Sequence, residues 1–274
     1  MMNRIGSATG RHTIAIVGGG FCGSALATRL LRSTMLAECD IVLIEREALV
    51  GRGVAYARRA YPYLLNVPAG HMSADSQRPG EFVEFARRVL PHAQAGDFLP
   101  RALYGDYLEQ RLQRAAAEAS SGVRLVRVHD EVVAVTPGPR LRLTLRSGAQ
   151  VLANEVTLAL GNAAAAPVPG LDGIPVLDPW SALKHVEPEH SVLLVGTGLT
   201  MVDVAVSLET RVRGPGRLHA LSRRGLLPRA HSGSAHSATV VDTHRLLTAG
   251  SHSVRALTRA VRESVAGGGD WHAV

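Results

Sequence analysis

Glycines recur at a spacing suited to one task at two places in the chain, GGGFCG at residues 18–23 and GTGLTM at residues 196–201. Each follows a short run of β-branched or leucine residues, and each opens a stretch with helical apolar periodicity. Strand, glycine turn and helix in that order can cradle a pyrophosphate. The first glycine permits the tight turn, the second lets backbone approach the phosphates, and the third lets the helix pack close to the strand. The helix then points free N–H groups and the positive end of its dipole at the anion. Gly18, Gly20 and Gly23 meet all three demands, with Phe21 and Cys22 at the start of the helix. In the second turn Gly196 and Gly198 fill two places around Thr197, Leu199 and Thr200 follow, and Met201 replaces the third glycine. Two such turns in one chain imply two dinucleotides, and hence electrons passing from one nucleotide cofactor to another.

What stands at the end of the next strand separates the two sites. After the first unit this is Glu45, followed by Arg46, about 20 positions beyond Gly23, where a carboxylate binds ribose hydroxyls. After the second unit the sequence reads Ser222, Arg223, Arg224, Gly225. A carboxylate there would repel a 2′-phosphate, whereas a serine with arginines receives one, so NADPH is the expected second cofactor, with Arg223 or Arg224 on the phosphate. Asp203, early in the second helix, reads as a surface charge that compensates the helix dipole. No Ser/His/Asp set or carboxylate pair is evident, so no residue is assigned as catalytic. His231 and His236 read as solvated loop histidines, and no cluster has metal-ligand spacing.

The elements that must position these groups follow from periodicity. Residues 1–12 read as a poorly ordered arm. A βαβ unit occupies 13–17, 22–35 and 41–45, and a long Gly/Pro/Tyr/Asn-rich stretch follows Arg46, of the kind that serves a ligand. Helical periodicity returns at 79–90 and 103–117. Short β-prone runs at 123–128, 131–136, 141–146 and 151–160 read as a small antiparallel meander leading into a strand at 156–160. The second βαβ unit spans 192–195, 199–209 and 217–222. The expected fold is therefore α/β, with two Rossmann-like dinucleotide-binding units and a β-meander between them. The corresponding domains are 13–178 for the first cofactor and 179–274 for the second.

Composition narrows the class. With 274 residues, 46% of them hydrophobic, the chain can bury a sizeable core. No apolar run approaches the roughly 20 residues of a membrane helix. The net charge of +7 is carried by arginine with Lys184 as the single lysine, and no basic stripe is interleaved with aromatics, which argues against nucleic acid. Two cysteines, one of them inside the first glycine turn, suit a reducing compartment, and the expected location is cytoplasmic.

Taken together, GGGFCG, GRGVAY, LLNVPAGHMSAD, DFLPRALYGDYL, LALGN, LLVGTGLTMVD and LSRRGLLPRAH resemble the ordered motifs of a bacterial family of FAD/NAD(P)-binding proteins. That family includes FAD-dependent urate hydroxylase and aspartate N-monooxygenase. The resemblance implies FAD at the first turn, NADPH at the second, and monooxygenase-like chemistry on a small polar substrate. It also implies that Asn66 and Met72 line the flavin cleft, and that Gly161 and Asn162 end a strand beside it. His71 reads as a partly buried histidine with its hydrogen bonds satisfied. Members of the family are longer. Only residues 223–274 follow Ser222 here, including an amphipathic stretch at 254–265, so the segment that commonly completes the flavin domain is expected to be absent. The alternative expectation is a nucleotide-binding module that takes FAD but needs that segment, or a partner, for activity.

Overall fold

The computed structural model describes residues 11–228 except 60, 62, 164, 165, 167, 168, 172, 181, 182, 212, 213 and 215, together with the backbone of 4 and 5 and residues 255, 258 and 259. The chain forms two compact units, Met1–Leu226 and Leu227–Val274. His231, His236 and the amphipathic stretch 254–265 fall largely or wholly outside the described residues.

Within the amino-terminal arm, β1 (Arg4–Ile5) is a short strand. The first βαβ unit is β2 (His12–Val17), α1 (Phe21–Leu31) and β3 (Cys39–Glu45), with the two strands parallel. The periodic stretches beyond it form α2 (Glu81–Val89) and α3 (Arg101–Glu118). Next comes β4 (Val123–His129), which pairs parallel with β3 over its full length. This corrects the expected meander: β4 belongs to the nucleotide-binding sheet. Its residues alternate poorly because it borders a sheet covered on both faces.

The meander proper is β5 (Val132–Thr136), β6 (Leu141–Leu145) and β7 (Gln150–Ala153), antiparallel throughout, with β1 parallel at the edge of β7. The β-prone run at 151–160 divides at Asn154: its first part ends β7, and the strand expected at 156–160 is β8 (Glu155–Leu158), which joins the other sheet beside β2. Asn154 makes the transfer by donating its N–H to the Thr13 carbonyl, 2.8 Å, while its side-chain oxygen accepts the Thr13 N–H, 2.9 Å. The parallel sheet therefore has the order β4-β3-β2-β8.

Period-two alternation divides β2 and β3 between two cores. Ile14, Ile16, Ile41 and Leu43 pack with Ala27 and Leu31 of α1 and Leu112 and Ala115 of α3. Ala15, Val17, Val42 and Ile44 face Leu143, Leu145, Val151 and Ala153 of the meander. The result is three layers: helices, parallel sheet, meander. A third core joins α2, α3 and the long loop through Leu65, Phe82, Phe85, Tyr104 and Tyr107.

The second βαβ unit is β9 (Ser191–Val195), α4 (Leu199–Glu209) and β10 (Arg217–Leu221), with the strands parallel. Its core is small: Val186, Val204 and Leu208, with Val192, Leu194 and Leu218 against them. The alternate residues Leu193, Val195 and Leu221 lie 59%, 76% and 60% exposed, so one face of this two-stranded sheet is uncovered.

Candidate dinucleotide-binding sites

In the first turn Gly18 has φ +100°, and a Cβ there would stand 2.3 Å from the Ala159 carbonyl oxygen. A Cβ at Gly23 would lie 1.8 Å from the Gly18 oxygen, which is the close helix-to-strand approach the third glycine exists to allow. Gly20 is the extended N-cap of α1, whose first turn has neither a capping side chain nor an acidic residue. The free N–H groups at this end are therefore left for an external anion. Phe21 is 40% exposed and Cys22 is exposed beside it.

Glu45 closes the turn as well as marking its far side. Its Oε2 accepts the Gly19 N–H at 2.6 Å and its Oε1 accepts the Glu47 N–H at 2.9 Å. An ionised carboxylate has about four acceptor sites, so both oxygens retain capacity for ribose hydroxyls. Arg46 is not brought to the turn: its side chain is 64% exposed, 3.9 Å from Glu47.

The strongest feature that motif spacing misses is GRGVAY. Gly51 donates its N–H to the Gly19 carbonyl at 2.6 Å, and Gly53 lies so near Gly20 that a Cβ there would stand 3.6 Å from the Gly53 Cα. Between them Arg52 is buried and donates to Asp106 and, at 3.2 Å, to Glu109, both on α3. A second glycine pair flanking an arginine was the available signal. This loop braces the glycine turn from outside and anchors it to α3.

The candidate flavin-cleft loop is fixed by backbone bonds to residues 95–99: Leu65 N–H to Leu99, Ala69 to Asp97 and Gly70 to Ala95, at 2.8–2.9 Å. Met72 packs on the third core, which also contains Tyr104, and Tyr104 stacks on Phe21 with ring centres 6.3 Å apart. Through these rings the loop and the α1 N-terminus share one wall. Asn66 is exposed. His71 is also exposed, which corrects the expectation of a partly buried histidine. The Ala159 N–H bonds the Val17 carbonyl at 2.8 Å, so the end of β8 lies against the turn, with Gly161 (φ +69°) and Asn162 exposed just beyond.

The second turn is looser. Gly196 has φ +105°, but a Cβ there would meet nothing within 4 Å, in keeping with Met201 where the third glycine would stand. Gly198 is the extended N-cap of α4, again with no capping side chain or first-turn acid, and Leu199 and Thr200 are exposed at the helix start. Ser222 proves to be a structural clasp: its hydroxyl lies 2.8 Å from that of Thr197 and accepts the Gly225 N–H at 3.0 Å, while Thr197 donates to the Leu226 carbonyl at 2.5 Å. The clasp holds Arg223 and Arg224 at the strand end, both exposed and with no ion pair among the described residues. Asp203 is not the surface dipole charge expected. It is 20% exposed and 3.9 Å from Arg101 of α3, and burial raises its carboxyl pKa while the guanidinium lowers it.

Both turns fit a dinucleotide by these observations, the first more tightly. Among the described residues no group of His, Cys, Asp and Glu could hold a metal, and no helix is long and apolar enough to cross a membrane. A parallel sheet with a glycine turn feeding an uncapped helix, repeated once, defines a protein with two dinucleotide-binding units. The chain belongs to the FAD-NAD(P)-binding family, which matches residues 15–163. No curated protein matches it in sequence.

Among solved structures the chain is similar to a flavin monooxygenase from Stenotrophomonas maltophilia in a doubly substituted form, at 22% identity and TM-score 0.51, covering 93% of this chain and 68% of that one. It is similar to the ornithine N-hydroxylase of Kutzneria sp. 744, solved with reduced FAD, NADP+ and ornithine, at 16% identity and TM-score 0.59, covering 92% and 62%. It is also similar to an FAD-bound cadaverine monooxygenase from Erwinia amylovora, at 14% identity and TM-score 0.53, covering 94% and 65%. At these identities the likeness is one of fold. The chain spans about two thirds of each of those proteins.

Proposed function

We propose that the protein is an FAD- and NADPH-dependent oxidoreductase of the monooxygenase type, hydroxylating or N-oxygenating a small polar substrate. The observation that carries this reading is the contrast between the two sites. The turn at Gly18 is backed by a carboxylate, Glu45, and a braced loop, while the turn at Gly196 is backed by two exposed arginines.

In this reading FAD lies along Gly18–Gly23. Glu45 holds the adenosine ribose, the first-turn N–H groups of Phe21, Cys22 and Gly23 hold the pyrophosphate, and the loop from Asn66 to Met72, with Gly161 and Asn162, borders the ring. NADPH lies along Gly196–Thr200, with Arg223 or Arg224 on its 2′-phosphate. When bound, the flavin supplies hydride acceptance and oxygen activation. The chain itself binds, orients and excludes water, so it needs no acid/base set of its own. The test is flavin absorbance of the purified protein and NADPH-driven oxygen uptake; a colourless protein that FAD does not stabilise would contradict it.

A second reading is a module that binds FAD but needs further polypeptide for turnover, and the uncovered face at Leu193, Val195 and Leu221 favours it. Flavin binding without NADPH oxidation would select that reading.

A further inference from the structure

Two phosphate-binding helix ends can exchange electrons between their cofactors only if something fixes their separation. A short path of contacts joins them through the head of α3. Phe21, the first residue of α1, stacks on Tyr104. Tyr104 lies one turn along α3 from Arg101, on the same face. Arg101 in turn reaches Asp203, in the second turn of α4, with Nη2 to Oδ2 at 3.9 Å. The Arg101 side chain is otherwise held by donation from Nε to the Leu64 carbonyl at 2.9 Å, and its backbone N–H donates to the Tyr63 carbonyl at 2.7 Å, so its root is rigid.

Local physics makes this pair more than a surface ion pair. Arg101 is the first residue of an 18-residue helix, where the positive dipole end disfavours a cation, and Arg59 adds a second positive charge nearby. Asp203 supplies the compensating charge from the other βαβ unit, and its carboxylate is largely withdrawn from water. Among the described residues neither group has another ion-pair partner, and Arg101 offsets part of the cost of burying the Asp203 carboxylate. The pair is also longer than Arg11–Asp40 at 3.0 Å, Arg111–Asp75 at 2.7 Å and Arg52–Glu109 at 3.2 Å, and about as long as Arg11–Glu38 at 3.8 Å. At that separation the two groups attract as charges without a direct hydrogen bond, so a small displacement of α4 from α3 weakens the contact.

We propose that Arg101 and Asp203 are positioning residues that dock the second βαβ unit on the head of α3 and so set the distance for hydride delivery from NADPH to the flavin. The proposal rests on the function argued above. The docking itself is measurable without either cofactor.

The variants are Arg101→Gln, Asp203→Asn, the double variant, Arg101→Lys and the exchange Arg101→Asp with Asp203→Arg. In each, FAD content is read by absorbance, NADP+ affinity by titration, and flavin reduction by NADPH by anaerobic rapid mixing. Apparent melting temperature is read with and without FAD. The expected result is FAD content and NADP+ affinity within about twofold of the parent, with reduction slowed about tenfold or more in either single neutralisation. The double variant is no slower than the singles, Arg101→Lys restores most of the rate, and the charge exchange recovers part of it. Independent, additive effects of the two neutralisations on melting temperature overturn the docking, whether or not flavin is bound. Unchanged reduction rates in the single variants, or loss of FAD and NADP+ binding along with rate, overturn the positioning role. Absence of flavin reduction in the parent protein defeats the proposed function alone, because the melting-temperature cycle still reads the contact.

Discussion

Gly18 leaves no room for a side chain: its φ of +100° is strained for any other residue, and its Cβ position is blocked by the Ala159 carbonyl. Gly18→Ala should cost about 1–3 kcal/mol from backbone strain alone and lower FAD affinity by at least about tenfold, measured by flavin titration and thermal unfolding. Gly196→Ala meets the same φ strain without the clash, so its effect on folding should be smaller and its effect on NADPH larger than on FAD. At the other end of the second turn, a lost charge-assisted contact is worth about 1.5–3 kcal/mol, so replacing Arg223 and Arg224 together with alanine should weaken NADPH about ten- to a hundredfold. NADH binding should hardly change, and equal loss of both nucleotides would place the arginines elsewhere. Residue types and spacing made Gly18, Gly20, Gly23 and Glu45 legible in the sequence. Ser222 was singled out in the sequence as a cofactor contact, but its clasp was not legible, because that depends on a partner, Thr197, that spacing does not reveal.

At the scale of elements, α3 does the most to hold the first site. Its residues receive Arg52 from the loop that braces the glycine turn, pack Tyr104 beneath Phe21, and place Tyr107 against α2. Phe82 of α2 is fully buried in that cluster, edge-on to Tyr104, and Phe82→Ala should cost about 3–5 kcal/mol and reduce flavin content with it. Tyr107 gives the same cluster a pH signature. Its hydroxyl donates to Glu81 at 2.6 Å and accepts the Ala74 N–H at 3.1 Å. Burial, and then the Glu81 carboxylate, push its phenol from 10.0 up to about 12. The folded protein thus keeps a proton that the unfolded chain releases, so this contribution is intact below about pH 10 and is lost as pH rises through about 12. Stability measured by denaturant titration should fall over that window, and Tyr107→Phe should flatten the fall. Three of the helices were legible from 3.6-residue periodicity to within about two residues at each end, while α1 stops at Leu31 rather than near residue 35. Apart from β1, the strands were legible as strands, but the sheet membership of β4 and β8 was not. β4 and β8 join the parallel sheet because of long-range pairing with β3 and β2, and the switch at Asn154 depends on a bond to Thr13, far away in sequence.

At the scale of the whole molecule, the two glycine turns serve differently built units. The first rests on three layers and closely packed glycines. The second rests on a two-stranded sheet with a small core and an uncovered apolar face. Two-stranded parallel pairing is marginal in water on its own, so the second unit should show faster amide hydrogen exchange than β2 and β3. Protection in β9 and β10 equal to that in β2 and β3 would contradict this. The sequence carried the existence and order of the two units because each local signal stood in its own strand-turn-helix context. It could not carry their unequal support, which depends on what packs over each sheet. The measurement that bears most directly on the central claim is anaerobic mixing of the FAD-loaded protein with NADPH, followed at the flavin absorbance band. Bleaching by NADPH, with NADH far slower, is the predicted result. Bound flavin that NADPH leaves fully oxidised would contradict the account.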